Sequence, residues 1–131
     1  MKQFGDHIRK KRETLRKDDK SFSLRQVAVR LGIEPAYLSK IERNVFPPPS
    51  EEVIQKLAPM LDEDADILLA MAGKLSTDLQ RIILERPTLF AEVIRELKKA
   101  PNHAILRITR EVRDGKWWQC KRRNAHGRAK K

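Results

Sequence analysis

Apolar side chains recur at helical spacing along most of the chain, while the alternation typical of strands is scarce. The spacing predicts five short helices in the first part of the chain, over 3–17, 24–31, 35–43, 51–61 and 62–73. Their buried faces are expected to include Phe4, Ile8, Leu15, Val27, Leu38, Ile41, Val53, Ile54, Leu57, Ile67, Leu68 and Met71. The pattern therefore predicts one compact all-α unit over residues 1–73.

The stretch 23–43 predicts two helices joined by a tight turn. Ser23 is suited to cap the first helix, because its hydroxyl can accept a free backbone N–H of the first turn. Gly32 is expected to end that helix in a left-handed conformation, and Glu34-Pro35 is suited to begin the next one. Two helices with so short a link cross steeply, so the second can project from the surface.

The pattern of this stretch is S-x-x-x-V-A-x-x-L-G-I-x-x-x-Y-L-S-x-I-E-R-N, followed by PPPSEEVIQKLAPML. It resembles the phage-repressor and Cro-type (Xre-type) helix-turn-helix family, in register over about residues 4–73. The resemblance implies a five-helix repressor-like domain that binds double-stranded DNA. It also implies a homodimeric transcriptional repressor on a pseudo-palindromic operator, with one recognition helix in each of two successive major grooves.

The resemblance also implies roles for individual side chains, with the recognition helix running from about Pro35 to Arg43. Base contacts are implied for Glu34, Pro35, Ala36 and Lys40. Phosphate contacts, or a thymine methyl contact for two of them, are implied for Arg12, Arg25, Gln26, Tyr37, Ser39, Arg43 and Asn44. Glu42 is implied to form a bidentate ion pair with Arg12 that orients the guanidinium toward a phosphate.

The recognition helix is poor in the amides that usually read adenine. The family often has glutamine at the positions of Leu24, Pro35 and Ala36, and none stands there in this chain. We expect Lys40 to read guanine O6 and N7, with a solvated lysine as the alternative. Ala36 or Pro35 is expected to pack on a thymine methyl, and simple helix initiation is the alternative for both.

Residues 74–114 predict three further amphipathic helices, over 75–85, 88–99 and 104–113, interrupted at Pro87 and Pro101. Each carries a single apolar stripe, too small for independent stability, so the stripes must pack on the first domain or pair with a second copy. We expect dimerisation through Leu79, Ile82, Ile83, Phe90, Val93, Ile94, Leu97, Ile105 and Ile108. The alternative is an antitoxin or a partner-controlled repressor, whose extension binds a neighbouring toxin or protease.

The net charge of +11, from 29 basic and 18 acidic residues, supports a nucleic-acid partner. The segment 115–131 has seven basic residues and no acidic residue, and it is expected to be a flexible tail. In this tail Trp117 and Trp118 are expected to dock on the helical extension, and Lys121, Arg122 and Arg123 to contact the DNA backbone.

No constellation in the sequence indicates catalysis, a metal or a cofactor. Cys120 is the only cysteine, and His7, His103 and His126 are scattered without ligand partners. Acidic pairs occur at predicted helix starts, where acids are favourable for structural reasons. We therefore expect a protein that is not an enzyme. With no apolar run of membrane-spanning length, no apolar core of a signal peptide and a single cysteine, we expect it to be cytoplasmic.

Overall fold

The computed structural model describes residues 2–117, with side chains from Phe4 onward, and over this range the chain is all-α as predicted. The helices are α1 (Lys2–Arg16), α2 (Leu24–Leu31), α3 (Pro35–Glu42), α4 (Glu51–Met60), α5 (Ala65–Met71), α6 (Thr77–Glu85), α7 (Pro87–Leu97) and α8 (Asn102–Asp114). A 3-10 turn at Lys20–Phe22 occupies part of the segment where the sequence suggests a loop. No helix within 2–117 is long and apolar enough to cross a membrane.

The predicted start and end signals of α2 and the predicted start of α3 are confirmed. The Ser23 hydroxyl accepts the Gln26 N–H at 3.2 Å and so caps α2. Gly32 ends α2 with a φ of 74°, a left-handed conformation that costs glycine little. Pro35 occupies the first turn of α3, as expected for a residue that has no N–H to leave unpaired.

Helices α1 to α5 together form one hydrophobic core of buried aliphatic and aromatic side chains. Its members are Phe4, Ile8, Val27, Ala28, Leu31, Leu38, Ile41, Ile54, Leu57, Ala58, Leu61, Leu68, Leu69 and Ala72. Leu15, Val53 and Met71 are partly buried against this core. Most of the predicted inward face is therefore confirmed.

The prediction for Ile67 is wrong, because this side chain is 55% exposed. The buried face of α5 is formed instead by Leu68, Leu69 and Ala72. The predicted and observed faces have the same spacing and differ by one residue in phase. The Asp64 carboxylate caps the backbone N–H groups of Asp66 and Ile67, and the helix then packs closely on α4.

The described residues divide into two compact units, the first ending at Glu85 and the second beginning at Arg86. The division lies after α6, whereas the sequence suggested a boundary between residues 73 and 74. Two side-chain contacts tie the start of α6 to the first unit: Lys74 Nζ donates to the Pro49 carbonyl at 2.7 Å, and Thr77 Oγ1 donates to Glu51 at 2.9 Å. The predicted tail is described only through Trp117.

Close packing of α1 on α3 depends on Gly5. A Cβ added there would overlap the Ile41 carbonyl oxygen and the side chain of Asn44. We expect Gly5→Ala to lower the free energy of unfolding by about 1–3 kcal/mol through overpacking, measured by urea denaturation.

The matched control for this change is Gly32→Asn. Asparagine accepts the left-handed conformation more readily than other residues, and a Cβ at Gly32 has no atom within 4 Å. This control should cost less than Gly5→Ala. If Gly5→Ala were instead stabilising by about 1 kcal/mol, as helix propensity alone would have it, the close approach would be absent.

Candidate nucleic-acid interface

Helix α3 is buried on one side and open on the other. Leu38, Ile41 and Glu42 are buried. The remaining positions of the predicted contact set on or beside α3 are exposed or half-buried: Glu34, Pro35, Ala36, Tyr37, Ser39, Lys40, Arg43 and Asn44. The structure thus brings these predicted contact residues together on and around one helix.

The predicted ion pair between Arg12 and Glu42 joins α1 to α3. Arg12 Nε donates to Glu42 Oε2 at 2.7 Å, and Nη2 donates to Oε1 at 2.8 Å, which is a bidentate geometry. The third guanidinium nitrogen donates to the Phe22 carbonyl at 3.2 Å. The hydrogen bond to Glu42 is the main cause of a raised pKa at Arg12, so the guanidinium stays charged inside the domain.

The phosphate contact implied for Arg12 does not agree with this geometry. The side chains of Arg12 and Glu42 are only 6% and 4% exposed, and all three guanidinium nitrogens have protein acceptors. The pair therefore holds α3 against α1 instead of presenting Arg12 to a phosphate.

Apart from Tyr37 and Ser39 within α3, the other predicted phosphate contacts lie at two places. Arg25 and Gln26 are exposed in the first turn of α2, where free backbone N–H groups also favour an anion. Arg43 and Asn44 are exposed at the end of α3. Arg43 Nε donates to Ser39 Oγ at 3.3 Å, and Asn44 Nδ2 donates to Asp6 Oδ1 at 3.1 Å, so both side chains already have partners within the domain.

Phe46 is a residue of the interface that the sequence did not indicate. Its ring lies 4.9 Å from Lys40 Nζ, a cation–π contact, and 5.9 Å from the Tyr37 ring, at a tilt of 52°. Beyond Asn44, the sequence predicts no role in the interface for the residues between α3 and α4. The one signal that could have pointed to Phe46 is an aromatic residue between Asn44 and three successive prolines.

Helices α6, α7 and α8 contain no fully buried residue. Of the predicted dimerisation residues, Leu79, Ile83, Phe90, Leu97 and Ile105 are half-buried, and Ile82, Val93, Ile94 and Ile108 are 44–53% exposed. Leu89, Leu106 and Val112 add further exposed apolar surface to α7 and α8. Within the described residues, α6, α7 and α8 thus leave much of their apolar surface open.

The described start of the tail contacts α8. Trp117 Nε1 donates to the Val112 carbonyl at 2.8 Å, so this indole lies against the last turns of the helix. The predicted docking of Trp117 on the extension therefore agrees with the structure, whereas Trp118, Cys120 and the basic run lie outside the described residues. Within 2–117, no group of three or more His, Cys, Asp or Glu side chains is arranged to hold a metal ion.

Two helices crossing at a glycine turn, with the second buried on one side and polar on the other, define a helix-turn-helix domain. The comparison with known families agrees. The family model described as helix-turn-helix matches residues 8–68 of this chain.

Relatives of known name match the same part of the chain. An HTH-type transcriptional regulator of Mycobacterium tuberculosis, found in two strains, is 38% identical over 69 residues, which cover 53% of this chain and 45% of that protein. The HTH-type transcriptional regulator SinR of Bacillus subtilis is 29% identical over 76 residues, covering 53% of this chain and 68% of SinR. The alignment thus spans about half the length of the mycobacterial relatives.

One solved structure matches over most of the chain. It is described as a complex of SinR protein and SinI protein, and it covers 90% of this chain and 98% of its own matched chain. The sequence identity is 24% and the TM-score is 0.42.

Proposed function

We propose that this chain is a transcriptional regulator that binds a specific double-stranded DNA sequence and acts as a homodimeric repressor. The observation that carries the proposal is the open, polar face of α3, on a helix locked to the core by the buried Arg12–Glu42 pair. A rigid helix with one free face is what entry into the major groove requires.

Base readout is assigned to four residues at the start and middle of α3. Lys40 donates to guanine O6 and N7, and Ala36 or Pro35 contacts a thymine methyl, with Glu34 at the edge of the same face. The phosphate contacts come from Arg25, Gln26, Tyr37, Ser39, Arg43 and Asn44. Arg12 is withdrawn from this set because its guanidinium is buried and each of its nitrogens donates to an acceptor within the domain.

The homodimer is assigned to the apolar residues of the extension. A contiguous exposed apolar surface is characteristic of an interaction site, and α7 and α8 present such residues with none fully buried. Dimers of this fold class bind two half-sites about one helical turn apart, or a multiple of it, so pairing of two copies doubles the DNA contacts.

Selection from a pool of random DNA duplexes tests the proposal. The full chain should enrich a sequence with two related half-sites, bound more tightly than random DNA by about a thousandfold or more at physiological salt. If no duplex is enriched above the random pool at that salt concentration, the chain is not a sequence-specific regulator.

Lys40→Ala gives a sharper prediction on the enriched duplex. Discrimination should fall at one base pair in each half-site, by about 1–3 kcal/mol, because a bidentate contact to guanine is lost. The measurement is the binding affinity for duplexes that carry each of the four base pairs at every position. Equal weakening on all duplexes would identify Lys40 as a phosphate contact.

A second candidate assigns the same apolar surface to a different protein, such as a neighbouring toxin or protease. The exposed residues of α7 and α8 favour a protein partner of some kind, and an apolar stripe suits either occupant. The molecular mass of the purified chain in solution separates the two. A dimer supports the homodimeric repressor, and a monomer supports control by another protein.

A further inference from the structure

We propose that Phe46 is a specificity-determining residue, whose ring holds the Lys40 ammonium in position for base readout. The inference rests on the proposed function, because it concerns how the recognition helix presents Lys40 to a base. Phe46 does not lie on that helix. It follows the helix in the connector 43–50, and its role depends on how the backbone returns toward Lys40.

The backbone returns through a defined motif at the end of α3. Asn44 has a φ of 62°, a left-handed conformation that asparagine tolerates better than most residues. Its N–H donates to the Ile41 carbonyl at 3.0 Å, and the Val45 N–H donates to the Lys40 carbonyl at 2.8 Å. These two bonds form a Schellman motif, which turns the chain back over the last turn of the helix.

Phe46 continues this return. Its N–H also donates to the Lys40 carbonyl, at 3.2 Å, so the backbones of Phe46 and Lys40 are joined directly. The ring then lies over the side chain of the same lysine, with Nζ 4.9 Å from its centroid. The ring of Tyr37, one turn before Lys40 on α3, also contacts Phe46, with 5.9 Å between the two ring centroids.

The connector that carries the ring is held at both ends. Asn44 Nδ2 donates to Asp6 on α1, and the carbonyl of the buried Pro49 accepts from Lys74 Nζ at 2.7 Å. Between these anchors the prolines fix their own φ angles, and Pro47 also restricts the backbone of Phe46. The backbone on both sides of Phe46 is therefore held in place, so that its ring can restrict the flexible side chain of Lys40.

Phe46 does not belong to the hydrophobic core. It is 40% exposed and lines a cavity of about 220 Å³ together with Pro47 and Pro48. The ring contacts Tyr37 and Lys40, two residues of the predicted contact set on α3. Lysine loses much rotamer freedom when it binds a base, so a ring that restricts it beforehand lowers that loss.

The test compares Phe46→Leu with Phe46→Tyr in the full chain, on the duplex enriched from the random pool. Leucine keeps an apolar side chain without a π face, and tyrosine keeps the ring. At the base pair where Lys40→Ala loses discrimination, Phe46→Leu should reduce discrimination about two- to fivefold, the size of an exposed cation–π contact. Phe46→Tyr should retain the wild-type value.

A double-mutant cycle separates positioning from direct DNA contact. In a Lys40→Ala background, Phe46→Leu should cause no further change at that base pair. An equal loss in both backgrounds overturns the inference, because Phe46 would then act on DNA or on the fold without Lys40. Wild-type discrimination in Phe46→Leu overturns it as well, while leaving the proposed function intact. If the wild-type chain enriches no duplex, the proposed function fails, and this inference fails with it.

A measurement without DNA guards against variants that fold poorly. Protons above the face of an aromatic ring are shifted upfield, so the Lys40 ε-CH₂ resonances of the wild-type chain should lie upfield of those of the exposed Lys56. They should move to the position of the Lys56 resonances in Phe46→Leu and stay upfield in Phe46→Tyr. Coincident Lys40 and Lys56 shifts in the wild-type chain overturn the inference, whatever the variants do.

Discussion

Removal of the Glu42 carboxylate is expected to destabilise the first unit more than any other single change considered for this chain. Glu42→Ala leaves the Arg12 guanidinium charged and buried, with the Phe22 carbonyl as its one remaining acceptor. A buried ion pair that loses one partner costs about 3–5 kcal/mol, chiefly because the other charge stays desolvated. Urea denaturation at an unchanged m-value should report this loss.

Two further variants make the prediction specific. Glu13→Ala removes the partner of Arg9 in an exposed pair at 3.4 Å, and it should cost less than about 1 kcal/mol. The double change Arg12→Met with Glu42→Leu removes both charges and should recover most of the stability lost in Glu42→Ala. Equal midpoints for Glu42→Ala and Glu13→Ala would contradict the buried geometry of the pair.

The parts of the fold that the sequence predicted well are those with strong local signals. The Ser23 cap, the Gly32 stop and the Pro35 start act within one helical turn, and none depends on distant residues. The periodicity of the apolar positions then sufficed to identify α1, α4 and the helices of the extension to within a few residues of their observed ends.

Helix α5 shows where periodicity fails. Residues 67–72 are six consecutive apolar positions, so two phases of the helix bury an equally good stripe. The Asp64 cap and the packing of α5 on α4 select the phase with Leu68 and Leu69 inward. The choice between phases belongs to tertiary packing, which a periodic pattern does not contain.

For the candidate site, too, the sequence indicated which residues pair but not how the elements that carry them pack. The pairing of Arg12 with Glu42 followed from the family resemblance, yet its burial depends on how α1 lies against α3, at a distance of 30 residues in sequence. Phe46 was missed for a related reason. Its nearness to Lys40 results from the left-handed Asn44 and the backbone bonds that follow it, and side-chain composition alone does not encode that return of the chain.

The largest effect on DNA binding is expected from a change outside α3, in the apolar surface of α7. Val93 is 49% exposed, and no residue of α7 is buried. Under the proposed homodimer, Val93→Glu places a charge in an apolar interface, where burial of an unpaired carboxylate is strongly unfavourable. The dimer should dissociate, and affinity for a duplex with two half-sites should fall about a hundredfold or more as the two sites cease to bind together.

Arg95→Gln is the matched control, because it lowers the net charge by one unit, as Val93→Glu does, at an exposed polar position two residues along the same helix. It should leave the mass in solution unchanged and weaken DNA binding only slightly. Because Val93 is not buried in the chain, helix content and the unfolding midpoint of the first unit should survive both changes. A Val93→Glu chain that stays dimeric, or that binds both half-sites with wild-type affinity, would place the dimer contact outside this surface of α7.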